Sequence, residues 1–119
     1  VELNKNSSYL PYVLGRLFAV LEAVQNAANP SISTTIRDRY FNSASSTPSN
    51  VFPTLIKLAQ KHLQKMNDKQ EVYYNRQITD LMSRIQQPFP KRMTLPEQGA
   101  FELVYYHQTQ ERFTKKEEV

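Results

Sequence analysis

The chain has 119 residues, 15 Lys+Arg against 11 Asp+Glu, a formal charge of +4 and no cysteine. Such a length fits one domain that buries roughly two-thirds of its unfolded surface, and the missing thiols exclude disulfides, thiolate metal centres and a cysteine nucleophile. The charge surplus permits a polyanionic partner without requiring one.

Two histidines are too few for a metal shell of their own. The longest apolar runs are a few residues, far short of the roughly 20 that span a bilayer. With no secretory leader in the sequence, the expectations are a cytoplasmic protein, no membrane partner, no metal and no cofactor. The initial Val1 suggests a segment of a longer frame, a processed chain or a non-standard start. Glycine occurs only at Gly15 and Gly99, and no alternating β-branched run competes with the helical patterns. The expected fold is all-α, a compact bundle of about five helices. It forms a single domain over 1–119, frayed at 1–7 and 117–119.

The first helix is expected to start near Ser8 or Tyr9, with Ser8 as N-cap and Pro11 in the first turn, where its missing N–H costs little. Leu10, Leu14, Leu17, Leu21, Val24 and Ala28 trace its apolar seam with Phe18 alongside, and Asn29-Pro30 ends it. Gly15 within this run indicates a close helix crossing, with Arg16 snorkelling to water. A short second helix spans roughly 33–41, and 42–46 is a polar loop. In it Arg37 and Arg39 flank Asp38 beside Tyr40. That triplet is either a self-paired surface cluster or a phosphate and base contact.

The third helix covers 47–66, with Thr47 as N-cap, Pro48 at its first position and Pro53 bending it or delaying its regular start. It has two faces of opposite kind. Phe52, Leu55, Ile56, Ala59, Leu63 and Met66 gather into one apolar stripe; Lys57, Lys61 and Lys65 recur at steps of four on another side. No carboxylate occurs from Arg39 through Asn67, so nothing local neutralises those ammonium groups. A solvated helix ordinarily mixes both signs, so this row points to an anionic group on another molecule.

Asp68 is the expected cap of a fourth helix, with Glu71 completing a capping box and Tyr74, Ile78, Leu81, Met82 and Ile85 forming its core stripe. Arg76, Asp80 and Arg84 form a self-neutralising face. A stiff connector, Pro88-Phe89-Pro90, leads to Lys91 and Arg92 with no acid nearby. Thr94 and Glu97 then open a fifth helix as a second capping box, with Ala100, Leu103, Val104 and His107 as its stripe. Tyr73-Tyr74 and Tyr105-Tyr106 each turn one ring inward and one to the rim, since consecutive helix positions diverge by about 100°. Residues 97–119 carry three bases against five acids, giving the chain a basic middle and an acidic end. The sequence has no Gly-rich phosphate loop, HExxH or GxSxG, so no catalytic role is expected.

The segments GRLFAVLEAVQNAANP (15–30), IRDRYFNSASSTPSNVFP (36–53), LIKLAQKHLQK (55–65) and QGAFELVYYHQTQERFTKK (98–116) resemble the C-terminal region of the large subunit of the type I-C CRISPR surveillance complex, Cascade. In that family the region is also made by internal translation as a separate small subunit, present in more than one copy. The resemblance implies a non-catalytic helical bundle that touches nucleic-acid backbone, steadies target DNA in the R-loop and bridges other subunits. Expected partners are the large and backbone subunits, guide RNA, target DNA and further copies of itself. Base pairing with the guide reads the sequence, so the protein needs backbone contacts alone. The expected contact residues are Lys57, Lys61 and Lys65, then Arg37 and Arg39, then Lys91 and Arg92. Thr109 stands where relatives commonly carry arginine, so the resemblance carries no contact onto that turn. The competing expectation is a purely architectural bundle without nucleic-acid contact.

Overall fold

The computed structural model describes residues 7–31 and 35–118, with side chains as far as Glu111. The expected frayed ends fall largely on 1–6 and 119, and the expected start of the second helix on residue 33, all outside the described residues. The described residues form five helices and no strand: α1 (Leu10–Ala28), α2 (Ile36–Ser46), α3 (Pro48–Gln64), α4 (Asp68–Ser83) and α5 (Leu95–Glu118).

α1 is the centre of the fold, although α3 has the more contrasted sequence. From Val13 to Gln25 every α1 residue is buried, because this helix is apolar nearly all round and all four others pack on it. Around it α5 meets α2, α2 meets α3 and α3 meets α4. The ring does not close: among the described residues no Cα of α4 comes within 8 Å of a Cα of α5.

Gly15 is the point of closest approach. A Cβ there would lie 2.5 Å from the Phe101 carbonyl oxygen and 3.2 Å from Val104 Cβ, so the expected helix crossing is with α5. Just beyond it Phe18 stands at the hub of an aromatic core. Its ring centroid lies 5.7 Å from Phe41, 6.4 Å from Phe52, 5.9 Å from Phe101 and 5.5 Å from Tyr105, tying α1 to α2, α3 and α5. These are edge-to-face pairs, worth about 0.5–1.5 kcal/mol each beyond area burial.

Several local expectations are corrected. Ser8 does not cap α1; Tyr9 holds the N-cap position without a side-chain bond. Residues 42–46 are helical, because Thr35 and Asp38 form a capping box that starts α2, while Ser45 and Ser46 hydroxyls bond the Asn42 carbonyl near its end. Thr47 serves both neighbours: its hydroxyl donates to Ser43 O at the end of α2, and Pro48 starts α3. Asn67, not Asp68, caps α4, its Oδ1 accepting from Gln70 N at 2.9 Å. On α5 the stripe is rotated: Phe101, Val104 and Tyr105 are buried, whereas Leu103 is 51% exposed. The Thr94–Glu97 box forms as expected, with Thr94 N donating to Glu97 Oε1 at 2.8 Å.

Candidate nucleic-acid interface

α3 reaches its orientation by burying Pro48, Val51, Phe52, Leu55, Ala59 and Leu63 against α1, α2 and α4. At about 100° per residue, the centre of that stripe lies about 150° around the helix from Lys57, Lys61 and Lys65. All three lysines are exposed. Among the described residues no carboxylate lies within ion-pairing distance of any of them. With a rise of about 1.5 Å per residue, successive lysines are about 6 Å apart along the axis, close to two nucleotide steps of a duplex strand at about 3.4 Å each. His62, between them in sequence, is half-buried; burial, then the Lys65 charge, holds its pKa below the ordinary histidine value.

Lys91 and Arg92 are held by the fold. Ser49 N donates to Pro90 O and Met93 N donates to Ser46 O, both at 2.9 Å, while Phe89 stacks on Phe52 at 5.3 Å and 14°. The connector is therefore pinned to the α2–α3 corner, and its two cations stand exposed between the anchors. This second basic site is at the N-terminal end of α3. The lysine row begins about 14 Å further along the axis and well around it, so the two are distinct.

Arg37 and Arg39 are separated. Two positions on a helix diverge by about 200°, so they occupy opposite sides of α2. Arg39 is exposed. Arg37 turns to α5: its guanidinium donates to the Tyr106 hydroxyl and lies 5.5, 5.9 and 5.5 Å from the Phe41, Tyr105 and Tyr106 ring centroids. Its hydrogen bond to Tyr106 raises its pKa further. Asp38 pairs with neither arginine in the described contacts; it accepts from Thr35 N at 2.9 Å. The triplet thus splits into a cap, a cation–π clamp and one exposed cation.

The second tyrosine pair divides as expected, with Tyr105 2% exposed and Tyr106 45%. Tyr105 donates to Glu22 Oε1 at 2.5 Å across the α1–α5 contact. Burial, then this hydrogen bond, raises the phenol pKa well above its ordinary value.

Arg16 overturns an expectation. It does not snorkel to water; it is 8% exposed, and its Nε donates to Gln108 Oε1 at 3.1 Å. Burial, then the positive charge of Arg84, lowers its pKa. Sequence spacing gave no sign of this, since the position follows a glycine whose neighbour on α5 is 86 residues away in the chain. Arg16 lines a cleft of ≈ 340 Å³ over the open seam between α4 and α5, together with Ala19, Val20 and Ala23 of α1 and side chains of both flanking helices.

Among the described residues no helix is long and apolar enough to cross a membrane. A family model described as CRISPR-associated protein (Cas_Csd1) matches residues 1–113. No curated protein matches the sequence.

Proposed function

Since this chain belongs to the CRISPR-associated Cas_Csd1 family, we propose that it is a non-catalytic small subunit of a type I-C CRISPR surveillance complex. It binds nucleic-acid backbone, stabilises target DNA strands in the R-loop and bridges other subunits of the effector. The observation that carries this reading is the row of Lys57, Lys61 and Lys65 on the outward side of a helix whose other side is locked into the core. Three ammonium groups at fixed spacing, without carboxylates of their own among the described residues, suit a phosphate chain and need no base code. Exposed Arg39, Lys91 and Arg92 add positive charge on α2 and at the α2–α3 corner.

A protein-facing surface fits the bridging half of the role. Leu95, Leu103 and Tyr106 are exposed on α5 and fall within an arc of about 80° on that helix. Such an apolar strip suits a neighbouring subunit. Isolated contact with nucleic acid is expected to be weak, on the order of 10⁻⁴ to 10⁻⁶ M, and useful affinity comes from several sites held in one assembly.

The test is retention of target DNA by the assembled effector carrying Lys57→Glu with Lys61→Glu. Retention falls, and the plot of log affinity against log salt becomes shallower by about 2 units for two lost phosphate contacts. Circular dichroism stays unchanged, because both side chains are exposed. Unaltered retention at every salt concentration refutes the backbone-binding role. Loss of assembly with DNA contacts intact supports the architectural reading instead.

A further inference from the structure

The unclosed side of the helical ring carries a second site. We infer that the cleft between α4 and α5 accepts one unstacked nucleobase of a single strand, an inference that rests on the nucleic-acid role above and adds a base contact to it.

The floor is Ala19, Val20 and Ala23, which with Arg16 occupy one face of α1 at steps of three and four. They lie at the base of ≈ 340 Å³ of space that side chains of α4 and α5 border on either side, within the range of small-molecule sites. Yet they are only 3%, 3% and 6% exposed. Helices pack with axes about 8–10 Å apart, and a floor so nearly covered leaves no room for one. The opening suits a flat group entering edge-on.

The walls have the chemistry of a base site. Tyr73, 57% exposed on α4, offers a ring beside an apolar floor, with the Tyr74 ring 5.1 Å away at 76°. Stacking on such a ring is sequence-tolerant, since every base has a π face. Gln77 and Gln108 bring amides from opposite sides. Gln108 Oε1 is engaged by Arg16, and its amide N–H groups have no acceptor among the described residues. A purely apolar occupant, such as a phenylalanine side chain, would leave these polar groups desolvated and unpaired. A base carries donors and acceptors around its rim and satisfies them.

The experiment is a titration of the full chain with deoxyadenosine monophosphate, followed by the methyl resonances of Ala19, Val20 and Ala23. Deoxyribose 5-phosphate and N-acetyltyrosinamide are the controls. The nucleotide moves the methyl resonances of these three residues and the sugar phosphate does not. Tyr73→Ala, on an exposed ring whose loss spares the core, weakens nucleotide binding by about 5- to 150-fold, the stacking contribution of one ring. Lys57→Glu with Lys61→Glu leaves the cleft response intact, so failure of the lysine row is read separately from failure of the cleft. Cleft methyls unmoved by the nucleotide, moved equally by the sugar phosphate, or indifferent to Tyr73→Ala overturn the inference. A tighter response to N-acetyltyrosinamide also overturns it, in favour of a protein side chain.

Discussion

Gly15 and Gly99 invite the same substitution and should answer with opposite signs. Alanine at 15 places a carbon 2.5 Å from the Phe101 carbonyl oxygen, a backbone atom that moves only with its helix. Reaching an ordinary contact near 3.5 Å requires α1 and α5 to part by about 1 Å, and a gap of that size forfeits a quarter to a half of each dispersion contact it opens. Phe18, Phe101 and Tyr105 are the rings that lose contact. Overpacking of this kind costs about 1–3 kcal/mol, at the upper end because the obstacle is main chain. Removing a helix glycine returns about 1 kcal/mol. The net loss is then about 1–2 kcal/mol. With an unfolding entropy near 2.1 cal/mol/K per residue, that lowers Tm by about 4–8 °C. At Gly99 a Cβ meets nothing within 4 Å, so Gly99→Ala keeps only the propensity gain and raises Tm by about 2–4 °C. Differential scanning calorimetry of the two variants against the parent reads both effects. A Gly15→Ala protein that melts at or above the parent refutes the claim that this glycine is what lets α5 settle on α1.

Two further outcomes follow from particular contacts. Asn67→Ala removes the acceptor of Gln70 N and should cost about 1 kcal/mol in denaturant titration. Asp68→Ala, which loses only an exposed first-turn charge, should cost about 0.5 kcal/mol or less; equal losses would count against the cap assignment. Tyr105 has a folded pKa raised above the unfolded 10.0, so its contribution is complete below pH 10.0 and is lost as pH rises above it. Tyr105→Phe should remove that part of the alkaline decline. At neutral pH it should also destabilise by about 1–3 kcal/mol, because Glu22 is buried and loses its phenol donor. An unchanged alkaline profile would show that the phenol is not a source of the decline.

The elements that sequence reading recovered best are those whose signals are local. A lysine every fourth residue opposite an apolar stripe is a statement about one helix, and α3 buries that stripe and exposes Lys57, Lys61 and Lys65 as the spacing requires. The Thr94–Glu97 box is equally local, with both halves three residues apart. The errors at Ser8 and Asp68 are shifts of one residue between neighbouring polar side chains, where propensity cannot choose; at α4 the Asn67 bond to Gln70 N decides, whereas Tyr9 caps α1 without a side-chain bond. The end of α2 was missed because Asn42 to Ser46 is a run of polar and small residues that reads as loop; only the serine bonds to Asn42 O and the burial of Ala44 and Ser45 reveal the helix.

Residue order by itself determined an all-helical chain, the starts of α1, α3, α4 and α5 to within a residue or two, and a basic row with no acid within reach along the chain. Period and charge are properties of neighbours in sequence, and they survive folding. Which helix lies at the centre was decided in three dimensions, because burial of α1 on every side depends on four others converging there. The same holds for Arg16 beneath Gln108, Arg37 upon three rings, and the seam left open between α4 and α5. Each arises where segments far apart in the chain meet, and there packing sets the outcome.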